Sequence, residues 1–289
     1  MSKIGFIGVG VMGHSMVRHL MKGNDVFVYT RTKEKALTLI EEGAVWCDSV
    51  PALAGKCEII FTMLGYPSDV EEIYLGEKGI IHHAKEGAIV IDCTTSTPSL
   101  AKIIYQRALE KGIMSLDAPV SGGDIGAKNA NLTIMCGGDE KCFEMVKPTL
   151  LQIGKNVILQ GTAGAGQHTK MCNQIAIATN MVGVCEALIY AKAANLNVES
   201  VLDSISQGAA ASFSLSNYSK RILAEDMEPG FYIKHFLKDM KIALEEAEKM
   251  RLNLPGLQLA YDLYKKVQEL GYEDKGTQAL ICYYYHLQA

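Results

Sequence analysis

The sequence has no cysteine pair, no long apolar run and no excess of positive charge, and each absence excludes a class of function. Its eight cysteines form no CxxC pair and no cluster with histidine at zinc spacing, so we expect reduced core thiols and no metal site. A net charge of -4 gives no electrostatic reason to expect a nucleic-acid partner. No run approaches about 18 apolar residues, so we expect neither a membrane span nor a membrane partner. Reduced thiols are typical of a cytoplasmic protein.

The chain has 289 residues, 48% of them hydrophobic, which is enough for two domains. Strand and helix patterns alternate over the first 160 or so residues, and strand patterns are missing beyond them. This order predicts an α/β domain with a doubly wound, mostly parallel sheet, followed by an all-α domain. Because Gly161 to Gly166 is a glycine-dense, uncharged break, we predict domains at 1–162 and 163–289.

A glycine-rich turn follows the first predicted strand, Lys3–Ile7, and leads into a helical pattern. In the order strand, G-x-G-x-x-G, helix, the glycines make a tight turn, admit a pyrophosphate and allow close helix packing. The N–H groups at the helix start then bind the phosphate. The sequence therefore predicts a dinucleotide site formed by Gly8, Gly10, Val11, Met12 and Gly13.

The residues after the second predicted strand, Asp25–Tyr29, favour NADP(H) over NAD(H). An NAD site would place an acid here for the ribose hydroxyl, whereas a guanidinium, hydroxyls and an ammonium suit a 2′-phosphate. This sequence has Thr30, Arg31 and Thr32, with Lys35 a turn later. The alternative is that Arg31 and Lys35 only solvate a helix start.

Ligands of doubly wound sheets bind at the carboxyl ends of the strands. The predicted strands Glu58–Leu64 and Ala88–Asp92 therefore place Met63, Leu64 and Thr95 beside the cofactor. A further strand, Met114–Val120, contains a proline, which predicts an edge or a strand end.

That strand leads into Ser121, Gly122 and Gly123. A serine hydroxyl followed by glycine N–H groups forms an anion-binding nest suited to a carboxylate. A plain turn is the alternative.

From Gly164 the sequence predicts one helix of about 28 residues, roughly 40 Å long. It is apolar on nearly every face from Ile175 to Ala191, so we expect burial on nearly every face. Lys170, Asn173 and Gln174 share one face of its first turns. A buried cation is costly unless it is used, which makes Lys170 a candidate catalytic residue. The alternative is a lysine that reaches water at a helix start.

Five motifs in this order resemble the β-hydroxyacid dehydrogenase family: GVGVMG at 8–13, TRT at 30–32, DAPVSGG at 117–123, GAGQHTK at 164–170 and KDMKIA at 238–243. The family includes 3-hydroxyisobutyrate dehydrogenase, tartronate semialdehyde reductase and related semialdehyde reductases. The resemblance implies a Rossmann-type domain joined by a long interdomain helix to a C-terminal all-α domain that serves the substrate and oligomerisation.

The resemblance also implies roles for single residues. Lys170 matches the catalytic lysine, Ser121 with its two glycines matches the substrate-carboxylate loop, and Asn173 matches a substrate-orienting asparagine. The other matches are Phe231 near the nicotinamide, Lys238 closing on the cofactor, and Gln174 beside Asn173 in the substrate site. Many members have asparagine in place of Gln174, which leaves the substrate open.

The implied reaction is hydride transfer between NADP(H) and a small 3-hydroxy or 2-hydroxy carboxylate or semialdehyde, such as 3-hydroxyisobutyrate or tartronate semialdehyde. We expect Lys170 to donate the proton to the carbonyl oxygen. Burial and the positive end of the helix dipole both disfavour its ammonium form and so assist donation. A glyoxylate or succinic semialdehyde reductase of the same family is the alternative.

Three other interpretations are weaker. A 6-phosphogluconate dehydrogenase usually has a much longer helical domain, and imine reductases usually lack the lysine. A non-catalytic NADP-binding module is the alternative of another class.

Because an all-α domain with one apolar helix often packs against a second copy, we expect a homodimer or homotetramer.

Overall fold

The computed structural model describes residues 2–288. The chain divides into two compact units, one ending at Lys170 and the other beginning at Met171. The predicted boundary after residue 162 lies eight residues earlier, before the long helix begins. The first turns of that helix therefore belong to the first unit.

Among the residues described, nine strands form the sheet of the first unit: β1 (Lys3–Ile7), β2 (Asp25–Tyr29), β3 (Val45–Trp46), β4 (Ile59–Thr62), β5 (Ile89–Asp92), β6 (Met114–Asp117), β7 (Val120–Ser121), β8 (Leu132–Gly138) and β9 (Gly154–Gly161). Their order is β3-β2-β1-β4-β5-β6-β8-β7, with β9 paired to β8. The pairs from β3 to β6 are all parallel. β8 runs antiparallel to β6 and β7 and parallel to β9.

Helices connect these strands, and they are α1 (Val11–Leu20), α2 (Leu37–Glu41), α3 (Val50–Ala54), α4 (Pro67–Leu75), α5 (Ile80–His83), α6 (Pro98–Leu109), α7 (Gly123–Lys128) and α8 (Glu140–Leu150). Apolar clusters cover both faces of the sheet. Phe6 and Ile91 belong to one cluster, and their strand neighbours Ile7 and Val90 belong to the other. Successive residues of a strand point to opposite faces, so strands apolar throughout are buried on both sides. The predicted doubly wound fold is confirmed.

The predicted strand Met114–Val120 is divided in the structure into β6 and β7. Pro119 lies just beyond β6, so the expected strand end is confirmed, although β6 lies inside the sheet between β5 and β8. Proline has no N–H to donate to a neighbouring strand, which explains the break. β3 was missed because two residues carry no periodic pattern.

The second unit is helical. The long helix α9 (Ala165–Ala193) runs into it and has 29 residues, close to the predicted 28. The other helices are α10 (Val198–Ile205), α11 (Ser219–Leu223), α12 (Ile233–Lys249), α13 (Pro255–Glu269) and α14 (Leu280–Gln288). A π-helical turn (Ser214–Tyr218) precedes α11 and a 3-10 turn (Thr277–Ala279) precedes α14. Their apolar faces form one core with the buried face of α9.

The expectation that α9 is buried on nearly every face is wrong for this chain. Ala176, Gly183 and Tyr190 are exposed, and they lie seven residues apart along one side of the helix. Small and polar residues occupy this side, whereas the opposite side carries buried residues such as Met181 and Leu188. By length and composition alone α9 could cross a membrane, although 44% of its apolar window is buried inside the protein, as in a core helix.

Candidate active site

The glycine-rich turn has the geometry of a phosphate-binding turn. Gly8 has a φ of +97°, which side chains rarely adopt, and a Cβ there would overlap the Met63 carbonyl oxygen. A Cβ on Gly13 would overlap the Gly8 carbonyl oxygen, so this glycine lets α1 pack against the turn. By contrast, a Cβ on Gly10 would meet nothing within 4 Å. The space beside Gly10 at the start of α1 is therefore open, as the predicted phosphate site requires.

Val11 is exposed at the first position of α1, and Met12 is half-buried beneath it. Both backbone N–H groups belong to the first turn of the helix, where such groups have no partner within the helix.

The polar residues after β2 surround an exposed arginine. The guanidinium of Arg31 lies 3.1 Å from a carboxylate oxygen of Asp69 at the start of α4, with 79% of the Arg31 side chain exposed. Because the arginine side of this ion pair is open to water, the pair is weak, and the guanidinium can exchange its partner for a phosphate. Thr32 and Lys35 are exposed beside it, whereas Thr30 is half-buried.

The ends of β4 and β5 are held together by a buried carboxylate. One oxygen of Asp92 accepts hydrogen bonds from the Thr62 hydroxyl, at 2.8 Å, and the Thr94 N–H, at 3.0 Å. The Thr94 hydroxyl in turn accepts from the Leu64 N–H at 2.8 Å. Burial raises the pKa of Asp92 to about 6, and the hydrogen bonds from threonine oppose that rise. The half-buried residues Met63, Leu64 and Thr95 thus lie on a fixed edge of the sheet.

The predicted carboxylate loop leaves the short strand β7. Ser121 is half-buried at the end of β7, paired with Thr133 of β8. Gly122 and Gly123 both have positive φ, +129° and +63°, and α7 begins at Gly123. Non-glycine residues would be strained at both positions, so the sequence specifies a loop with backbone N–H groups directly after the serine.

The start of α9 is bound to the sheet by a second buried carboxylate. One oxygen of Asp117, at the end of β6, accepts from the Gly164 N–H at 2.7 Å, and the other accepts from the Gln167 N–H at 2.8 Å. The Gln167 side chain donates to the Thr94 carbonyl at 2.7 Å and accepts from the Ser96 N–H at 3.0 Å. Burial raises the pKa of Asp117 to about 6, opposed by these backbone hydrogen bonds. Lys170, one helical turn later, is 6% exposed.

The second unit contains a network of buried polar side chains. The Asn173 amide donates to the Gln174 carbonyl oxygen at 2.7 Å, and the Gln174 amide donates to Asp239 at 2.5 Å. The other Asp239 oxygen lies 3.0 Å from the Lys238 ammonium. Among the residues described, that oxygen makes no hydrogen bond of good geometry, so its contact with Lys238 is one between charges. Gln174 and Asp239 are almost completely buried.

Phe231 is half-buried, and its ring centroid lies 5.4 Å from that of Phe236 on α12. It precedes α12 by two residues and α12 also carries Lys238, so the same segment holds both residues.

Sequence reasoning missed the polar residues that hold these elements in place: Asp92, Thr94, Asp117, Gln167 and Asp239. Three of them stand inside motifs that were recognised, DAPVSGG, GAGQHTK and KDMKIA. An acid at the carboxyl end of an otherwise apolar strand was the available signal for Asp92 and Asp117. Within residues 2–288 no group of three or more histidine, cysteine or acidic side chains could hold a metal ion.

Comparison with known proteins gives matches over both units. The family model described as the NAD binding domain of 6-phosphogluconate dehydrogenase matches residues 3–161. The model described as NAD-binding of NADP-dependent 3-hydroxyisobutyrate dehydrogenase matches residues 164–284. Together they account for most of the chain.

Similar proteins match over nearly their whole length. The chain is 57% identical to an uncharacterized oxidoreductase, YkwC, of Bacillus subtilis, covering 96% of each chain. It is 49% identical to probable 3-hydroxyisobutyrate dehydrogenase-like 1, mitochondrial, of Arabidopsis thaliana, covering 97% of this chain and 84% of the relative. Among solved structures, Mycobacterium tuberculosis 3-hydroxyisobutyrate dehydrogenase with L-serine is similar with a TM-score of 0.92, at 27% identity and full coverage of both chains.

Proposed function

The chain belongs to the β-hydroxyacid dehydrogenase family and is an oxidoreductase that binds a nicotinamide cofactor and acts on CH–OH groups, and from this premise we propose its substrate and chemistry. The substrate is a small 3-hydroxy or 2-hydroxy carboxylate, or the matching semialdehyde, and the preferred cofactor is NADP(H). Candidates are 3-hydroxyisobutyrate and tartronate semialdehyde, with glyoxylate and succinic semialdehyde as alternatives.

The observation that carries the proposal is the placement of Lys170. Gln167, one turn before it on α9, is hydrogen-bonded to the Thr94 carbonyl and the Ser96 N–H, in the turn after β5. Ligands of this fold bind at that end of the sheet. The rise from Gln167 to Lys170 is about 4.5 Å, so the lysine backbone stands within reach of a molecule bound there.

The protein residues then have separate tasks. The turn at 8–13 and the polar residues after β2 hold the dinucleotide, which when bound supplies a hydride to the carbonyl carbon. Ser121 and the N–H groups that follow it hold the substrate carboxylate. Lys170 donates a proton to the carbonyl oxygen as negative charge develops on it, and takes the proton back in the oxidation direction. Asn173, on the same face of α9, orients the substrate. Gln174 holds the Asn173 side chain by accepting its hydrogen bond.

The oxygen of the Gln174 amide accepts from Asn173 and its nitrogen donates to Asp239. We therefore propose that Gln174 acts on the substrate indirectly, by holding Asn173. Phe231 and Lys238 remain predicted contacts of the nicotinamide and the cofactor. Lys35, Thr30 and Thr32 remain predicted contacts of the 2′-phosphate region.

NADPH oxidation measured at 340 nm against 3-carbon and 4-carbon semialdehydes and glyoxylate tests the reaction. We expect turnover with at least one of them, loss of most of kcat in Lys170→Ala, and retention of NADPH binding in that variant. Near-normal turnover by Lys170→Ala would exclude its role. Binding of NADPH without turnover of any carbonyl compound would favour the non-catalytic module.

The ratio of kcat/KM for NADPH to that for NADH tests the cofactor preference. Arg31→Ala removes the only guanidinium that directly follows β2, and we expect the ratio to fall about tenfold, in line with an exposed charge-assisted hydrogen bond. A wild-type preference for NADH would contradict the proposal.

We also propose that the protein works in the cytoplasm as a homodimer or homotetramer in which the exposed side of α9 faces a second copy. A stripe of small residues allows close approach of a partner helix, and Tyr190 beside it is 74% exposed. Light scattering after size exclusion gives the mass, and we expect Gly183→Arg to shift it towards the monomer. A monomeric wild-type protein would contradict this assembly.

A further inference from the structure

The start of α9 depends on a set of contacts to which no role in the reaction has been assigned. Asp117 is 5% exposed, and its two oxygens accept from two backbone N–H groups of the segment that opens the helix. Such groups have no partner within the helix, so a carboxylate here both satisfies them and neutralises the positive helix end. A carboxylate that accepts two hydrogen bonds fixes position and orientation more firmly than a single contact.

The packing around this carboxylate leaves no room for adjustment. A Cβ on Gly137 of β8 would lie 2.6 Å from an Asp117 oxygen, and a Cβ on Gly166 would overlap the Met135 carbonyl. The two glycines therefore let β6, β8 and the helix start approach one another closely. This explains the glycine at position 166, inside the first turn of α9, where glycine has a low helix propensity.

Gln167 adds a second attachment from the same turn of the helix. Its side chain is completely buried and bridges the Thr94 carbonyl and the Ser96 N–H. Asp117 thus connects α9 to β6, and Gln167 connects it to the turn after β5. These two attachments fix the position of the first helical turn along the helix axis and its rotation about that axis. Lys170 follows three residues after Gln167.

We propose that Asp117 and Gln167 are positioning residues that set the place of the Lys170 side chain for proton transfer. Their effect on turnover rests on the proposed function, whereas their effect on the lysine itself does not. A shift of about 1 Å in a reacting group can cost about 100-fold in rate, so loss of either attachment should lower kcat by about 10- to 100-fold. Binding of NADPH by Asp117→Asn should change less than threefold, because Asp117 contacts neither the predicted phosphate turn nor the turn that carries Thr95.

Asp117→Asn is the sharpest variant, since it keeps the shape and turns one acceptor oxygen into a donor that faces an N–H group. Gln167→Leu removes the second attachment and leaves Asp117 intact, which covers the case in which Asp117→Asn does not fold. Asp139→Asn is the matched control. Asp139 is exposed in the same unit, and its two oxygens share the proton of the Tyr105 hydroxyl at 3.0 and 2.9 Å.

The first measurement does not use the reaction. Acetylation of the Lys170 amine by an N-hydroxysuccinimide ester, followed by peptide mass spectrometry, reports how firmly the lysine is held. We expect labelling at least threefold faster in Asp117→Asn and Gln167→Leu and unchanged in Asp139→Asn. Equal labelling in all proteins overturns the proposal. Faster labelling together with no turnover by the wild-type enzyme supports the positioning role and rejects the proposed function instead.

The second measurement separates positioning from general damage. In a double-mutant cycle the kcat loss from Asp117→Asn should nearly disappear in the Lys170→Ala background, because the residue acts through the lysine. Losses that multiply in the cycle, or a parallel loss of NADPH binding, show a merely structural role and overturn the proposal.

Discussion

Replacing Gln174 with leucine tests whether the buried polar network of the second unit is energetically connected. Gln174 is 0% exposed, accepts from the Asn173 amide and donates to Asp239. Leucine has a similar volume, so the main change is the loss of both hydrogen bonds. The Asp239 oxygen that accepts from Gln174 then loses its hydrogen-bond donor at a site that is only 2% exposed.

The size of the effect follows from these two bonds. A hydrogen bond to a charged group contributes about 1.5–3 kcal/mol, and a neutral one contributes about 1 kcal/mol. The greater apolar burial of leucine offsets part of the loss. We therefore expect Gln174→Leu to lower the free energy of unfolding of the second unit by about 2–4 kcal/mol.

Urea unfolding followed by two signals localises the effect. The single tryptophan, Trp46, lies in the first unit, so its fluorescence reports that unit, whereas far-UV circular dichroism reports the helices of both units. We expect the dichroism transition to move and the fluorescence transition to stay. If both transitions move together, the destabilisation is not confined to the second unit.

Gln258→Leu is the control for this experiment. The Gln258 side chain also donates to an aspartate, Asp262, at 2.9 Å, but the pair is exposed on α13. Exposed substitutions usually change stability by less than about 0.5 kcal/mol. An effect of Gln174→Leu no larger than that of the control would refute the reasoning.

Three further predictions concern the first unit. Burial raises the pKa of Asp92 from 3.8 to about 6, so the folded protein holds this proton more tightly than the unfolded chain does. The contribution of Asp92 to stability therefore falls by about 3 kcal/mol as the pH rises from about 4 to 6. Urea unfolding across this pH range should show a shallower fall in Asp92→Asn than in the wild type, and equal slopes would contradict this. Asp69→Asn removes the ion-pair partner of Arg31 and so frees the guanidinium for a phosphate. The ratio of kcat/KM for NADPH to that for NADH should rise about two- to fivefold, the range expected for a pair with an exposed arginine. A fall in this ratio would contradict the prediction. Gly13→Ala should lower the stability measured by thermal unfolding by about 1–3 kcal/mol, because the added methyl group overpacks the turn. Gly10→Ala should leave stability unchanged and weaken NADPH binding in a fluorescence titration. Equal losses of stability in the two variants would contradict the different roles given to these two glycines.

Most of the fold could be predicted from local sequence patterns, because each strand, turn and helix has its own pattern within a short segment. The alternation of apolar strands and helices up to β9 predicted the parallel sheet, and the glycines at 8–13 predicted the turn after β1. The absence of proline after Gly166 predicted the length of α9 to within about one residue. Each single strand, turn or helix pattern spans fewer than about thirty residues, so no knowledge of distant partners was needed to recognise it.

The supporting contacts of the site could not be predicted because their partners are far apart in sequence. Asp117 and Gly164 are 47 residues apart, and Gln174 and Asp239 are 65 residues apart. A sequence motif shows that an aspartate is present, but a hydrogen bond depends on which elements the fold brings together. The same limit applies to α9, whose exposed side could be recognised only once the helices that cover its other side were placed.

The position of Asp117 also changes the argument for proton donation by Lys170. The sequence suggested that the positive end of the α9 dipole would disfavour the ammonium form. In the structure a carboxylate lies 2.7 to 2.8 Å from two N–H groups at that end, and this charge opposes the dipole that the lysine would otherwise experience. Burial of the lysine to 6% exposure disfavours its charge independently of the dipole. In the proposed reaction Asp117 therefore has two opposite effects, since it would hold the lysine in place but weaken the field that would help the lysine release a proton.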